Sequence, residues 1–219
     1  NGFDGDSPRR TPKDLEEYPA FSKRASSSGG VPTYSRPQCV GPISVKDLKP
    51  LEVDLQNFKD ALSVSEATDA FMNAASPGVI AQFQPNQHYP DHSSYLYALA
   101  DAMKVEYEGI AEAGLVIQID SPDLALGRHV LFKDQSDEEF VAMAELHIEA
   151  LNHALQNIPA EQLRLHVCWG NYQGPHHCDI EMKKILPAVL KAKPMALSFE
   201  GANPRHSHEW SVFRDAKIP

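Results

Sequence analysis

Apolar positions recur at helical spacing in two long stretches of the chain. Leu96, Leu99, Ala100, Met103, Tyr107 and Ile110 form one stripe, and Phe140, Ala144, Ile148, Leu151 and Leu155 form another. Steps of three and four residues put such side chains on one face of a helix. Gly114 closes the first helix as a C-terminal cap. Ser136 and Glu139 open the second with a capping-box pattern. Segments 51–62 and 65–75 also read as helices, ended by Ser76-Pro77-Gly78 as a stop signal. Short apolar runs at 79–83, 115–120, 163–169 and 195–200 read as strands, with a further short strand near 36–43. Helical residues return between 180 and 191, where Pro187 kinks the segment or starts its last part.

Strand, loop, helix and strand at this spacing predict parallel β/α units. Polar residues able to do chemistry fall at the strand ends: Gln84 and Asn86, Asp120, His166 and Cys168, and Glu200. Those ends form the catalytic face of a β/α barrel. No Gly-rich phosphate loop follows a strand, which disfavours a doubly wound sheet. The expected fold class is therefore α/β, a (β/α)8 TIM barrel, incomplete here at roughly five strands. Residues 1–34 are rich in Pro, Ser, Gly and charge and read as a surface excursion or long loop. Residues 35–219 read as the partial catalytic barrel.

Composition narrows the partners. The 219 residues carry a net charge of −10 and 42% hydrophobic content. No basic stripe is present, so no nucleic acid is expected as a partner. No apolar run approaches about 18 residues, so no membrane span is expected. Three cysteines, Cys39, Cys168 and Cys178, lack a disulfide rhythm and fit a reducing, cytoplasmic setting. The first ten residues lack an initiator Met and a signal-peptide pattern, so the chain is expected to begin mid-protein.

The sharpest chemistry is His166 and Cys168, two apart on one strand and therefore on one face. Glu200, ending the next strand, can approach the same point, since neighbouring strands lie about 4.8 Å apart. An imidazole, a thiol and a carboxylate suit zinc. The alternative is a small core cysteine beside a hydrogen-bonded histidine. His176, His177, His206 and His208 read as ligands, supporting partners or proton carriers, or else as polar loop residues. Cys178 is a candidate further ligand or an ordinary loop thiol. Asp120 can grip a substrate ammonium or cap the loop around Pro122.

Three segments together carry a resemblance: QIDSPDLA at 118–125, HVCWGNY at 166–172 with GPHH at 174–177, and FEGANPRH at 199–206 with HEW at 208–210. They resemble the C-terminal catalytic barrel of the cobalamin-independent methionine synthase family. The likeness is to its stand-alone, single-barrel branch (methionine synthase II), itself similar to epoxyalkane:coenzyme M transferase. It extends from about Arg36 to the C-terminus. The resemblance implies a zinc cofactor and S-methyl transfer from 5-methyltetrahydrofolate, with a polyglutamate tail, to the thiol of homocysteine. His166, Cys168 and Glu200 match zinc ligands, and Asp120 matches the aspartate that holds the homocysteine amino group. Asn86 and Arg205 are further candidates for substrate binding.

Several positions depart from the family pattern. Ser121 stands where the classical enzyme has Glu, Leu126 replaces an acidic residue of the folate site, and Phe83 lies where a tryptophan is expected. The family's last cysteine ligand falls in a segment this chain does not contain. Zinc activation of a thiol therefore carries over better than folate recognition. Competing expectations are alkyl transfer to another small thiol from another alkyl donor, a metal-free decarboxylating lyase like uroporphyrinogen decarboxylase, and a metal-binding fragment without turnover.

Overall fold

The computed structural model describes residues 1–7, 10–28, 36–172, 174–214 and 216. Residues 29–34 of the expected surface loop, together with 35 and 217–219, lie outside them. In chain order the strands are β1 (Phe3–Asp4), β2 (Gln38–Cys39), β3 (Phe71–Ala75), β4 (Val116–Asp120), β5 (Leu163–Val167) and β6 (Ala196–Phe199). The α-helices are α1 (Lys13–Glu17), α2 (Pro19–Ser28), α3 (Lys49–Ser63), α4 (Pro77–Phe83), α5 (His92–Glu112), α6 (Gly127–Val130), α7 (Asp137–Ala154) and α8 (Met182–Val189).

Strands β3, β4, β5 and β6 form one parallel sheet in that order, and β1 pairs with β2 antiparallel. Helices fill each crossover between parallel neighbours, as parallel pairing requires. The structure thus shows a mixed α/β fold with a four-stranded parallel sheet among the described residues. Ile117 and Ile119 of β4 and Leu163, Leu165 and Val167 of β5 are buried on one face. They meet the stripes expected from the sequence, including Leu99, Tyr107 and Ile110 of α5 and Phe140, Ile148 and Leu151 of α7. Burial of each such side chain contributes about 1.5–3 kcal/mol.

The opposite face is polar and half-buried. It carries Gln118 and Asp120 of β4, Arg164 and His166 of β5, and Ser198 of β6. Alternation along each strand puts the two sets on opposite sides. Register aligns them across the sheet: Asp120 lies beside His166, and His166 beside Ser198.

Two expected elements are corrected. Segment 65–75, expected as a helix, ends in strand β3, and 79–83, expected as a strand, lies in helix α4. The cause is local. Ser76-Pro77 is a helix start rather than a stop, because the Ser76 hydroxyl accepts the Val79 N–H at 3.0 Å and Pro77 occupies the first turn. Gln84 and Asn86 consequently follow a helix, not a strand. The other signals hold: the Ser136–Glu139 capping box is formed, and Gly114 follows α5 at φ +82°. The early segment also has more structure than its composition suggests. Asp14 in α1 is fully buried, and Ser7 N–H donates to the Arg36 carbonyl at 2.8 Å.

Gly78 in α4 has no room for a side chain. A Cβ there would lie 2.0 Å from Asp123 Oδ2 and 2.4 Å from His147 Nδ1, whereas one on Gly114 would meet nothing within 4 Å. Gly78→Ala is expected to cost about 3 kcal/mol or more through overpacking. Gly114→Ala is expected to cost about 1–2 kcal/mol through backbone strain alone. Urea unfolding of both variants checks this, and an equal or smaller loss for Gly78→Ala contradicts it.

Candidate active site

The C-terminal ends of the parallel strands gather nearly all the candidate chemistry. Asp120 closes β4, Cys168 follows β5, and Glu200 follows β6. Continuing the β5–β6 register, in which Val167 pairs with Phe199, sets Cys168 beside Glu200. The alternation that buries Val167 turns His166 and Cys168 to the polar face.

A polar chain runs across that face. Arg164 sits 4.0 Å from the centre of the Phe71 ring and donates from Nε to Gln118 Oε1 at 2.8 Å. The Gln118 amide donates to Asp120 Oδ1 at 3.0 Å, and His166 Nδ1 lies 2.9 Å from the same oxygen. With Nδ1–H donating to the carboxylate, the tautomer is fixed and the Nε2 lone pair is left for a ligand. Asp120 Oδ2 makes no hydrogen bond among the described residues.

Cys168 is partly buried, and its sulfur accepts the Gly170 N–H at 3.2 Å. Burial pushes its thiol up, the Gly170 N–H opposes this, and the charges of Glu200, Asp120 and Asp179 push it further up. Glu200 lies 3.9 Å from Arg205 and 3.7 Å from His206 Nε2. Asp120 and His166 are therefore directly joined, while Cys168 and Glu200 each follow the last paired residues of β5 and β6. Among the described residues, the sets of three ligand-type groups within 4.8 Å of one another are Glu17–His177–Cys178, His176–Asp179–His206 and Asp14–His129–Asp179. The trio His166, Cys168 and Glu200 is not one of these.

Asn86 and Arg205, the other expected substrate-binding residues, lie on different loops. Asn86 closes its own turn: its amide donates to the Tyr89 carbonyl, and its oxygen accepts the His88 and Tyr89 N–H groups. It lines a small cavity with Arg10, Asp91 and His92. Arg205 is exposed in the loop after β6, next to Glu200.

A second, more deeply buried group lies over the same strand ends. The Tyr172 hydroxyl donates to Asp14 and lies 3.4 Å from His129 Nε2. Asp179 contacts His176 and His206, and Trp169 stacks on His206 at 4.2 Å. Asp14, His129 and Asp179 were missed in the sequence. Asp14 sits in a low-apolar segment, His129 in a stretch without periodicity, and Asp179 next to a histidine run. The burial of such polar residues has no signal in a hydropathy pattern.

No family model matches the chain. Among curated relatives, methionine synthase of Saccharolobus solfataricus is 30% identical over 173 residues, covering 77% of this chain and 47% of its own length. Methionine synthase of Saccharolobus islandicus is 30% identical over 145 residues, covering 64% of this chain and 40% of its own length. A B12-independent methionine synthase from Shewanella sp. W3-18-1, solved in complex with selenomethionine, shares the fold with a TM-score of 0.58 at 17% identity, covering 75% of this chain and 46% of that one. The chain belongs to the methionine synthase family. It spans about half the length of the curated relatives it matches. Among the described residues, no helix is long and apolar enough to cross a membrane.

Acid should destabilise this member of the family. His92, His129 and His206 are each pushed down to about 4, burial being the main cause in all three. Unfolded histidines take up protons near 6.5. Between pH 6.5 and 4 the unfolded chain therefore binds more protons on these groups, and stability falls as pH drops. Asp179, pushed up to about 6 mainly by burial, acts in the opposite sense between about 3.9 and 6. Three groups outweigh one. For chelator-treated protein, Tm at pH 4.5 is expected to lie roughly 5 °C or more below that at pH 7.5. An unchanged or higher Tm in acid contradicts buried, neutral imidazoles.

Proposed function

We propose that the chain forms part of a zinc-dependent S-methyltransferase. In this reading 5-methyltetrahydrofolate, carried on a polyglutamate tail, gives its methyl group to the thiol of homocysteine, yielding methionine. The support is one arrangement: the Asp120–His166 pair at the ends of β4 and β5, with Cys168 and Glu200 in adjoining register on the same polar face. Residues 35–219 are read as part of a (β/α)8 catalytic barrel, extending the parallel sheet described above. The free thiols of Cys39, Cys168 and Cys178 agree with a cytoplasmic setting.

His166 Nε2, Cys168 Sγ and a Glu200 oxygen are the atoms that would hold zinc. The donor set is chemically apt, and the Asp120 carboxylate behind His166 is the outer partner that metal-binding imidazoles use. Zinc, when bound, supplies the positive charge that keeps a substrate thiol deprotonated near neutral pH. Asp120 serves twice in this reading. Its Oδ1 holds the His166 ring in place, and its Oδ2, half-exposed, accepts the substrate ammonium. Arg205, exposed beside Glu200, meets anionic groups of a substrate. Asn86 shapes its own loop rather than touching the reacting atoms. Alignment of thiol and methyl carbon supplies much of the rate.

The test uses a polypeptide carrying this chain at the full length of the relatives. Cys168→Ser and His166→Asn are each expected to lower bound zinc and to abolish methionine formation from homocysteine and methyltetrahydrofolate. Asp120→Asn is expected to cost about 10–100-fold in metal affinity or activity, as loss of a supporting carboxylate does. Metal analysis and a methionine assay check both. Full activity in Cys168→Ser rejects zinc thiol activation. Alkylation of a different thiol without methionine formation rejects the assigned acceptor.

A further inference from the structure

Behind the polar face, the loops after β5 and β6 enclose a group of ligand-type side chains that the reading above leaves unused. His176 Nδ1 lies 2.8 Å from Asp179 Oδ2, and His206 Nε2 lies 2.9 Å from the same oxygen. The side chains of His176, Asp179 and His206 are 3%, 7% and 4% exposed, so water does not solvate this carboxylate. His176 Nε2 faces the Tyr172 carbonyl oxygen at 3.0 Å. A carbonyl can only accept, so Nε2 carries a proton; in the neutral tautomer Nδ1 then presents a lone pair to the carboxylate oxygen. Two lone pairs at 2.8 Å repel unless a proton or a metal cation lies between them.

A second observation points to a metal. Among the described residues, Asp179 Oδ1, His129 Nδ1 and His206 Nδ1 are buried without a hydrogen-bond partner. Asp179 Oδ1 and His129 Nδ1 face each other at 3.6 Å, and the His129 side chain is 1% exposed. Buried polar atoms are normally satisfied, so an incomplete network around one carboxylate points to an absent water or ion. Glu200 lies 3.7 Å from His206 and Asp14 3.8 Å from His129, so the surroundings are rich in carboxylates and favour a cation.

We propose that His176, Asp179 and His206 hold a divalent transition-metal ion through Nδ1, Oδ2 and Nε2. The three donor atoms lie within 4.8 Å of one another. A tetrahedral site with bonds of about 2.0–2.1 Å needs donors roughly 3.3 Å apart. Opening the two Asp179 contacts by about half an ångström brings those two pairs to that spacing, and the His176–His206 pair lies within 4.8 Å. The Tyr172 carbonyl then fixes the His176 tautomer, as outer partners of metal-bound imidazoles do. Two imidazoles and one carboxylate, without sulfur, suit zinc and its first-row neighbours. Trp169, stacked on His206 and donating from Nε1 to the Ile180 carbonyl at 2.7 Å, holds one ligand ring against the core. The ion lies beside the one assigned to His166, Cys168 and Glu200 and does not depend on it.

Cobalt(II) titration separates the two sites, because only a thiolate ligand adds an intense sulfur-to-metal charge-transfer band to the weak visible absorption. The Cys168→Ser variant is expected to bind one equivalent of cobalt without that band, and His176→Gln in the same background is expected to lose it. Asp179→Asn provides a second variant, and circular dichroism matching the parent shows that each is folded. Should both variants unfold, Cys168→Ser alone decides by its stoichiometry. No cobalt retained by Cys168→Ser overturns the inference, as does an equivalent that persists in folded His176→Gln or Asp179→Asn. Wild-type protein showing the charge-transfer band while Cys168→Ser binds nothing leaves the methyltransferase reading standing and removes this one. A single wild-type equivalent without the band, lost in His176→Gln, does the reverse.

Discussion

The parallel register of β4, β5 and β6 is the constraint on which the candidate chemistry depends. Ile119 pairs with Leu165 and Leu165 with Leu197, while Asp120 pairs with His166 and His166 with Ser198. A slip of one residue would exchange the faces of a strand, turning His166 into the helical layer and Leu165 to the polar side. The apolar contacts of α5 and α7 therefore hold the imidazole against its carboxylate. Residues far from the site, such as Phe140 and Tyr107, act on it by making only one register affordable.

Carboxylates and imidazoles then meet at one end of the sheet, and burial decides how they behave. Charge on an isolated buried group is strongly disfavoured, so the groups must share protons or recruit a cation. Asp179 illustrates the conflict. Burial favours its protonated form, while His176 beside it favours the carboxylate. His129 is driven neutral by burial although Asp14 pulls the other way. Opposed pressures of this kind cluster at functional sites. They also explain why a short N-terminal segment is tied down: Asp14 contributes a buried acid, and Tyr172 satisfies one of its oxygens.

Much of the parallel scaffold was readable because its signals are local. The α5 and α7 stripes, the Ser136 capping box and the Gly114 cap each depend on a few neighbouring residues. The stretch 65–83 was misread because Ser-Pro-Gly ends one element as readily as it starts another, and only the Ser76–Val79 hydrogen bond decides. Strand β3, with Phe71 and Asn73 exposed and Ala74 buried, owes its conformation to pairing with β4 rather than to its own composition. At the site, the strand-end positions of Asp120, His166, Cys168 and Glu200 followed from alternation. Their mutual distances did not, and the contacts of Asp14 and His129 are separated by more than a hundred residues of chain. Asn86 looked available as a polar residue after an apolar run, yet its amide is consumed by its own turn.

Cys168 offers an argument for a cation that needs no relative. Its surroundings combine partial burial with three acids, Glu200, Asp120 and Asp179, and all of these oppose a negative sulfur. The single Gly170 N–H is a weak counterweight, since one hydrogen bond contributes about 0.5–1.5 kcal/mol. A substrate thiol arriving at the same strand ends would meet the same acids and would likewise keep its proton near neutral pH. Thiol chemistry at this place therefore requires added positive charge. The nearby guanidinium of Arg205 is exposed and lies 3.9 Å from Glu200, so solvent and that carboxylate screen it. A divalent ion among His166, Cys168 and Glu200 would reverse the sign of the local field, turning acids that repel an anion into ligands and outer partners of the charge that stabilises it.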